Sequence, residues 1–330
     1  MGANKYNISI AMATYNGANF LVEQLESLAN QTILPNEIII SDDNSSDCTV
    51  DLVKRFQKTS SIEIKIHINK ENLGYSGNFN KALSLSSGDL VFLSDQDDVW
   101  FPNKIEYMLN VVDKNPSYLM YMNNAILTNS KLKPSEFTTY GQIKIAGFND
   151  ESYIMGCCAL VKRELLEFAL PIPVELNAHD VFLGTISDGL KAKYISSEIL
   201  QYYRRHDSNT SDSPINKLKT LYKSDINFKG FKDVIFHKKY NIDETLLKLK
   251  ISLNHLELIK SRLDKLSDLY VLRYEDFLIQ YNAKVSLYQK RKDLRNMSFI
   301  KRIFNGFKFY KYVYPKNSRF RNLIRDIIGI

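Results

Sequence analysis

The chain has 330 residues, 44% of them hydrophobic and 25% charged, enough to bury a sizeable core and too apolar for a disordered protein. No apolar run approaches the ~18 residues of a membrane-spanning helix, and the N-terminus MGANKYNISIAMATYNG lacks the segments of a signal peptide, so a cytoplasmic protein is expected. The formal charge of +7 is unevenly placed: from Val285 to Ile330 twelve Lys and Arg face two acids, a net +10, which leaves −3 on the preceding 284 residues and argues against nucleic-acid binding by the body of the chain.

The first two hundred residues alternate short β-rich runs with helical patterns, the mark of a layered α/β domain. Asn7 to Thr14 reads as a buried strand ending in the turn Tyr15-Asn16-Gly17, and Asn19 is placed to cap a helix bearing Phe20, Leu21, Leu25 and Leu28. Glu37 to Ser41 is a second strand, followed by the polar turn Asp42 to Asp47 and a helix from Cys48 to about Lys58. Ile62 to Ile68 alternates as a third strand, ENLGYSGNFNKAL reads as a turn and a helix capped near Ser76, and Leu90 to Ser94 is a fourth strand. After Pro102 a helix runs to Lys114, and Tyr118 to Asn124 is a strand. Residues 128 to 150 read as loop or irregular strand, Ser152 to Val161 as strand, Lys162 to Phe168 as helix. His179-Asp180 opens a helix to about Leu190, and two short strands, Lys193 to Ile195 and Ile199 to Arg204, lead into a polar loop, His206 to Ser213. Beyond Ile215 strand alternation ceases, and residues 243 to 293 show an amphipathic helical pattern with Leu246, Leu249, Leu253, Leu256, Ile259 and Leu263 on one face. Two domains are expected, 1–213 and a helical region 214–330 that ends in the basic, aromatic-rich tail 285–330.

Ligands of open α/β sheets bind beyond the carboxyl ends of the strands, where Tyr15-Asn16, Asp42-Asp43 and SDQDDVW (Ser94 to Trp100) fall. Three carboxylates in four positions repel one another unless a cation sits among them. A carboxylate accepts hydrogen bonds only, which suits the N3–H of a uracil or thymine ring for Asp42 and sugar hydroxyls for Asp95. Asp97 suits a hard divalent cation. Read alone, SDQDD is equally a solvated bend, and Asp180 at a helix start is equally an N-cap.

The ordered set TYNG, SDDNSSD, ENLGYSGNFNKAL, SDQDDVW, HD and YRRH resembles family 2 glycosyltransferases of the GT-A fold over about residues 6 to 210, and within them bacterial rhamnosyltransferases of polysaccharide assembly. The resemblance implies a mixed, Rossmann-like sheet flanked by helices. It assigns the nucleotide base to Thr14, Tyr15 and Asp42, ribose and metal to Asp95 and Asp97, and the catalytic base to Asp180, although many members have Glu-Asp where this chain has His179-Asp180. Asn16, Asn72, Gly74 and Asn80 are further candidates for the donor, and Trp100 for the edge of its sugar pocket. His206 is placed to complete the metal shell or touch the diphosphate, and Arg204, beside Arg205, to neutralise phosphate. The expected enzyme is an inverting, Mn²⁺- or Mg²⁺-dependent transferase moving L-rhamnose from dTDP-rhamnose to a lipid-linked bacterial cell-surface glycan. A UDP-hexose donor on the same fold and a non-catalytic nucleotide-sugar or glycan-binding protein are the alternatives.

Three cysteines, Cys48, Cys157 and Cys158, form neither a disulfide framework nor a zinc motif, in keeping with a reducing compartment. Lys and Arg interleaved with Phe299, Ile303, Phe304, Phe307, Phe309, Tyr310, Tyr312 and Tyr314 suit an anionic membrane surface, which would hold the protein peripherally at the inner face of the cell membrane. Nucleic acid, which could use the same pattern, self-association through the C-terminal helices and a solvated basic face are the alternatives for this tail.

Overall fold

The computed structural model describes residues 5–176, 178–207, 209, 241–313 and 319–328, with side chains 309–313 and 319–321 left aside. The expected domain boundary at 213/214 lies outside the described residues. Two compact units are formed, Met1–Leu221 with Arg262–Tyr270, and Tyr222–Ser261 with Val271–Ile330.

In the first unit the described strands form one nine-stranded mixed sheet. Strands β1 (Ile8–Thr14), β2 (Glu37–Asp42), β3 (Glu63–Ile68) and β4 (Leu90–Ser94) run parallel in the order β3-β2-β1-β4. Their residues at β1, β2 and β4 are buried on both faces, which explains near-continuous apolar runs instead of alternation, while β3 at the edge alternates. The sheet continues through β8 (Ala159–Lys162), β6 (Met120–Thr128), β9 (Lys193–Arg204) and β5 (Val99–Trp100), with β7 (Pro134–Thr138) on the side of β6. Helices α1 (Leu21–Ala29), α2 (Thr49–Thr59), α3 (Gly74–Leu85), α4 (Lys104–Lys114), α5 (Thr139–Ile145), α6 (Arg163–Ala169) and α7 (His179–Gly189) complete it. The α/β class and flanked mixed sheet agree with expectation.

Five local readings are corrected. Asn19 does not cap α1: Phe20 holds the cap position, and the backbone N–H groups of Phe20 and Leu21 reach Gly17 O instead. Helix α3 is assigned from Gly74 and not from near Ser76; Gly74 itself takes φ 72°, the left-handed region that a side chain disfavours. Residues 134–145 are ordered as β7 and α5, the helix capped by Thr138 Oγ1 accepting from Gly141 N at 3.0 Å. Strand character within 152–161 is confined to the start of β8, since the chain makes 3₁₀ turns at Asp150–Ser152 and Gly156–Cys158. Conversely, Lys193–Arg204 is one strand whose pairing with β6 shifts register near Asn124.

In the second unit are α8 (Ile242–Ile259), most of α9 (Asp268–Arg295), α10 (Phe299–Val313) and α11 (Arg319–Ile328). Of the apolar face expected on α8, Leu246, Leu256 and Ile259 are buried and Leu249 and Leu253 half-buried. Helix α11 is locked to α9 by a buried ion cluster in which Arg291 Nε (2.8 Å) and Arg295 Nε (2.6 Å) both meet the Asp326 carboxylate. Gly306 lets α10 approach α11 closely: a Cβ there would lie 2.8 Å from Leu323 Cδ1.

Candidate active site

At the carboxyl ends of β1, β2 and β4 lies a cavity of about 600 Å³. Four aspartates, Asp43, Asp95, Asp97 and Asp180, line it, and among the described residues no lysine or arginine does. It is open to one end of the sheet because each parallel strand stops there and hands over to a polar turn.

The acidic turn is held by cations and amides lying beneath it. Arg204, 3% exposed, donates from Nε to Asp97 O (2.8 Å) and from Nη1 to Ser130 O (2.9 Å), and pairs through Nη2 with Glu23. Asp98 accepts from Gln201 Nε2 at 2.8 Å and from the Arg204 backbone at 3.2 Å. Lys104 is fully buried; its Nζ donates to Cys157 O (3.1 Å) and Gln201 Oε1 and stands 3.7 Å from the centre of the Trp100 ring. Burial pushes the Lys104 ammonium down to about 8. Burial first, then the charges of Asp97, Asp98 and Asp180, push the Asp95 carboxyl well above the usual carboxylate range. Asp98 is raised by burial and by Asp97. The repulsion expected from the sequence is therefore present, and the neighbouring cations do not remove it.

Asp97 points into the cavity and meets the polar loop after β9. His206 Nε2 lies 2.8 Å from Asp97 Oδ2, and Asn209 Nδ2 donates to the same oxygen at 3.0 Å. The other candidate ligand atoms are those of Asp95, Asp98 and Cys157, which lie within 4.8 Å of one another. Across the cavity Asp180, in the first turn of α7, accepts from Gly156 N (3.2 Å) and Val181 N (2.8 Å). The cap position belongs to Ala178, so the carboxylate is not consumed as an N-cap.

The β1 and β2 turns form the remaining wall. Tyr15 exchanges two hydrogen bonds with Gln96 of the acidic turn, and Asn78 Nδ2 donates to Thr14 O at 3.1 Å. Asp43 Oδ1 accepts from Asn69 Nδ2 (2.9 Å) and Leu73 N (2.7 Å), and Asn72 Oδ1 accepts from Gly74 N (3.0 Å), which shapes the rim ahead of α3.

Thr14, Tyr15, Asn72, Gly74, Asp95, Asp97 and Asp180 thus share one cavity, with His206 just behind Asp97. Five expected positions lie elsewhere. Asp42 is fully buried, its carboxylate accepting from Thr14 Oγ1 (2.7 Å), Ser45 Oγ (2.7 Å) and Ser45 N (2.9 Å), so Asp43 takes the cavity wall in its place. Asn16 bridges to Ser45 and Ser46 of the neighbouring turn. Asn80 Oδ1 accepts from Ile172 N at 3.0 Å. Trp100, 2% exposed, packs on Phe92 in the core. Arg204 clamps the acidic turn from behind. Gln96, Tyr75, Cys157 and Asn209 line the cavity without having been singled out; of these Asn209 carried a signal, its place in the polar loop beside His206.

Residues 9–169 match the family model for Glycosyl transferase family 2. The chain is 32% identical over 225 residues to the dTDP-rhamnosyl transferase RfbG of Shigella flexneri, covering 64% of this chain and 77% of that protein. The chain belongs to glycosyl transferase family 2. This transferase is also 29% identical over 221 residues to the UDP-Glc:alpha-D-GlcNAc-diphosphoundecaprenol beta-1,3-glucosyltransferase WfgD of Escherichia coli, covering 65% of this chain and 83% of that one. Its fold is similar to that of S. aureus TarS 1-349 in complex with UDP, with a TM-score of 0.57 at 14% identity over 97% of this chain and 89% of that chain. The transferase thus has the GT-A fold.

Family members commonly work with divalent metals, and the donor set of this transferase fits one. Carboxylate oxygens suit a hard cation, Asp95 and Asp97 face the cavity, and His206 Nε2 lies 2.8 Å from Asp97 Oδ2.

Proposed function

We propose that this transferase moves a sugar from a nucleotide-sugar donor, dTDP-L-rhamnose, to a lipid-linked acceptor of a bacterial cell-surface glycan, with inversion. The observation that carries the reading is the cavity lined by four aspartates and, among the described residues, no lysine or arginine. A nucleoside diphosphate would be repelled from such a wall unless a divalent cation entered with it. Asp95 and Asp97, with His206 behind Asp97, would hold Mn²⁺ or Mg²⁺, which when bound supplies Lewis-acid stabilisation of the departing diphosphate.

The chain's own groups divide the remaining work. Asp43, Thr14, Tyr15 and Asn72 shape the wall against which the base and ribose would lie, a reassignment from Asp42 to Asp43. Asp180 accepts the proton of the incoming hydroxyl: a carboxylate fixed by the N–H groups of Gly156 and Val181 is positioned for general base work. One base and no covalent nucleophile are needed for a single displacement with inversion. A lipid-linked acceptor would be met at the cytoplasmic face of a membrane, and among the described residues no helix is long and apolar enough to cross one.

The likeness to RfbG supports dTDP-rhamnose, and the likeness to WfgD supports a UDP-hexose as second reading. Either reading calls for a transferase, whereas a non-catalytic binding protein would have no use for Asp180. Donor turnover across nucleotide sugars, with and without Mn²⁺, tests the proposal. Metal-dependent consumption of dTDP-rhamnose is expected; turnover undiminished in EDTA would refute the metal, and preference for UDP-glucose would move the donor.

A further inference from the structure

The inner side of α10 is fixed by the close contact of Gly306 with Leu323 of α11, and α11 is in turn held by Arg291 and Arg295 through Asp326. The face of α10 that runs from beside Gly306 toward solvent carries Phe299, Ile300, Phe304 and Phe307, which are 56%, 67%, 73% and 61% exposed. At 100° per residue these four and half-buried Ile303 occupy an arc of roughly 140°, bordered on the edge away from Gly306 by the exposed lysines Lys301 and Lys308. Large aromatic side chains exposed together on one helix are unusual on a soluble surface. Between Asp293 and Asp326 the sequence has no acidic residue.

We propose that this face of α10 docks on an anionic lipid bilayer, with the aromatic arc at the boundary of headgroups and acyl chains and Lys301 and Lys308 among the headgroups. Charge selects the occupant: the arc lies within a tail of net charge +10, so a second copy would bring like charge against like, whereas anionic lipid complements it. Length selects the mode. A helix of 15 residues is about 22 Å long, short of the ~30 Å hydrocarbon core, so it lies along the surface. The sequence pointed to the tail's charge as a whole; the structure narrows the contact to one face and shows that Arg291 and Arg295 are engaged with Asp326 instead. The inference does not depend on the donor or on the chemistry, and its failure would leave both untouched.

Sedimentation of the full-length protein with phosphatidylglycerol and with phosphatidylcholine vesicles tests it. Expected are binding to phosphatidylglycerol at 0.1 M salt, at least tenfold weaker binding to phosphatidylcholine, and at least tenfold loss in the double variant Phe304→Asp/Phe307→Asp with its melting curve retained. Should that variant fail to fold, Phe304→Trp decides: its emission shifts to the blue on phosphatidylglycerol, against a wild type whose sole tryptophan, Trp100, is buried. Absence of wild-type binding, equal binding to both lipids, unaltered binding of the double variant, or no spectral shift in Phe304→Trp would each overturn the proposal. So would a fall in oligomeric mass of the double variant without lipid, which would give the face to a second copy.

Discussion

Tyr15 and Gln96 are tied together twice: Tyr15 N donates to Gln96 Oε1 at 2.9 Å, and Gln96 Nε2 donates to Tyr15 O at 3.0 Å. The two residues are 81 positions apart, yet the pair joins the turn after β1 to the acidic turn after β4. The wall proposed for the nucleoside and the aspartates proposed for the metal are therefore tied to each other directly. Gly17 leaves room for this arrangement, since a Cβ there would run into the Gln96 side chain.

Removing that tie should be felt in donor binding before catalysis. Two neutral hydrogen bonds contribute about 1 kcal/mol each, so Gln96→Ala is expected to raise the donor KM on the order of tenfold while kcat changes less than threefold. Steady-state kinetics with varied donor checks this, and an equal loss in both parameters would place Gln96 in the chemical step.

Asp97→Ala should abolish turnover together with metal-dependent donor binding, because the diphosphate would lose its counter-ion and the His206 contact its partner. Calorimetry of donor binding with and without Mn²⁺ reads this directly. If the variant binds donor as tightly as the wild type and still responds to Mn²⁺, Asp97 is not a ligand.

Arg204 is expected to act on stability. Arg204→Lys cannot reproduce three divergent contacts from one guanidinium, to Asp97 O, Ser130 O and Glu23. A loss of about 2–3 kcal/mol in denaturant unfolding is expected, taking roughly 1 kcal/mol per contact. An unchanged unfolding midpoint with a raised donor KM would return Arg204 to the phosphate-binding role that its sequence position suggested.

The acid stability of the sheet depends on Glu37. Burial opposes its ionisation, but Ser9 Oγ (2.6 Å), Lys65 Nζ (2.9 Å) and Ser87 N (2.7 Å) outweigh it and hold the carboxyl at about 2, against an ordinary 4.5. The folded form thus favours the ionised group, and its stabilisation is complete above pH 4.5 and fades as pH falls towards 2. Glu37→Gln should be less stable than wild type at pH 7, and the gap should close across that window. A gap that persists unchanged at pH 2 would mean that packing, not charge, is what the substitution removes.

The parallel half of the sheet was legible because its signal is local. Ile8 to Met12, Ile38 to Ile40 and Leu90 to Leu93 are apolar runs closed by polar turns, and the turns themselves announce a ligand site. What the sequence concealed depends on partners far along the chain. Trp100 looked like a pocket aromatic until Lys104 and Phe92 enclosed it, and Lys104 in turn is held by Gln201, 97 residues away. Asp42 and Asp43 are adjacent and identical in type, and only the alternation of side chains at the strand end decides which one faces the cavity. The turn at Gly156 was hidden inside an apolar run, and the partner of Gly156 N, Asp180, lies 24 residues further along the chain.

Asp180 is the group proposed to take the acceptor proton in a transfer whose donor is held across the cavity, and Asp180→Asn tests that role on its own. The amide keeps the shape but loses the base, and general base catalysis typically contributes 10²–10⁴-fold. With saturating donor, acceptor and Mn²⁺, kcat should fall by roughly 10²-fold or more while the donor Kd, measured on the same preparation, stays within about twofold. A kcat near that of the wild type would contradict the account.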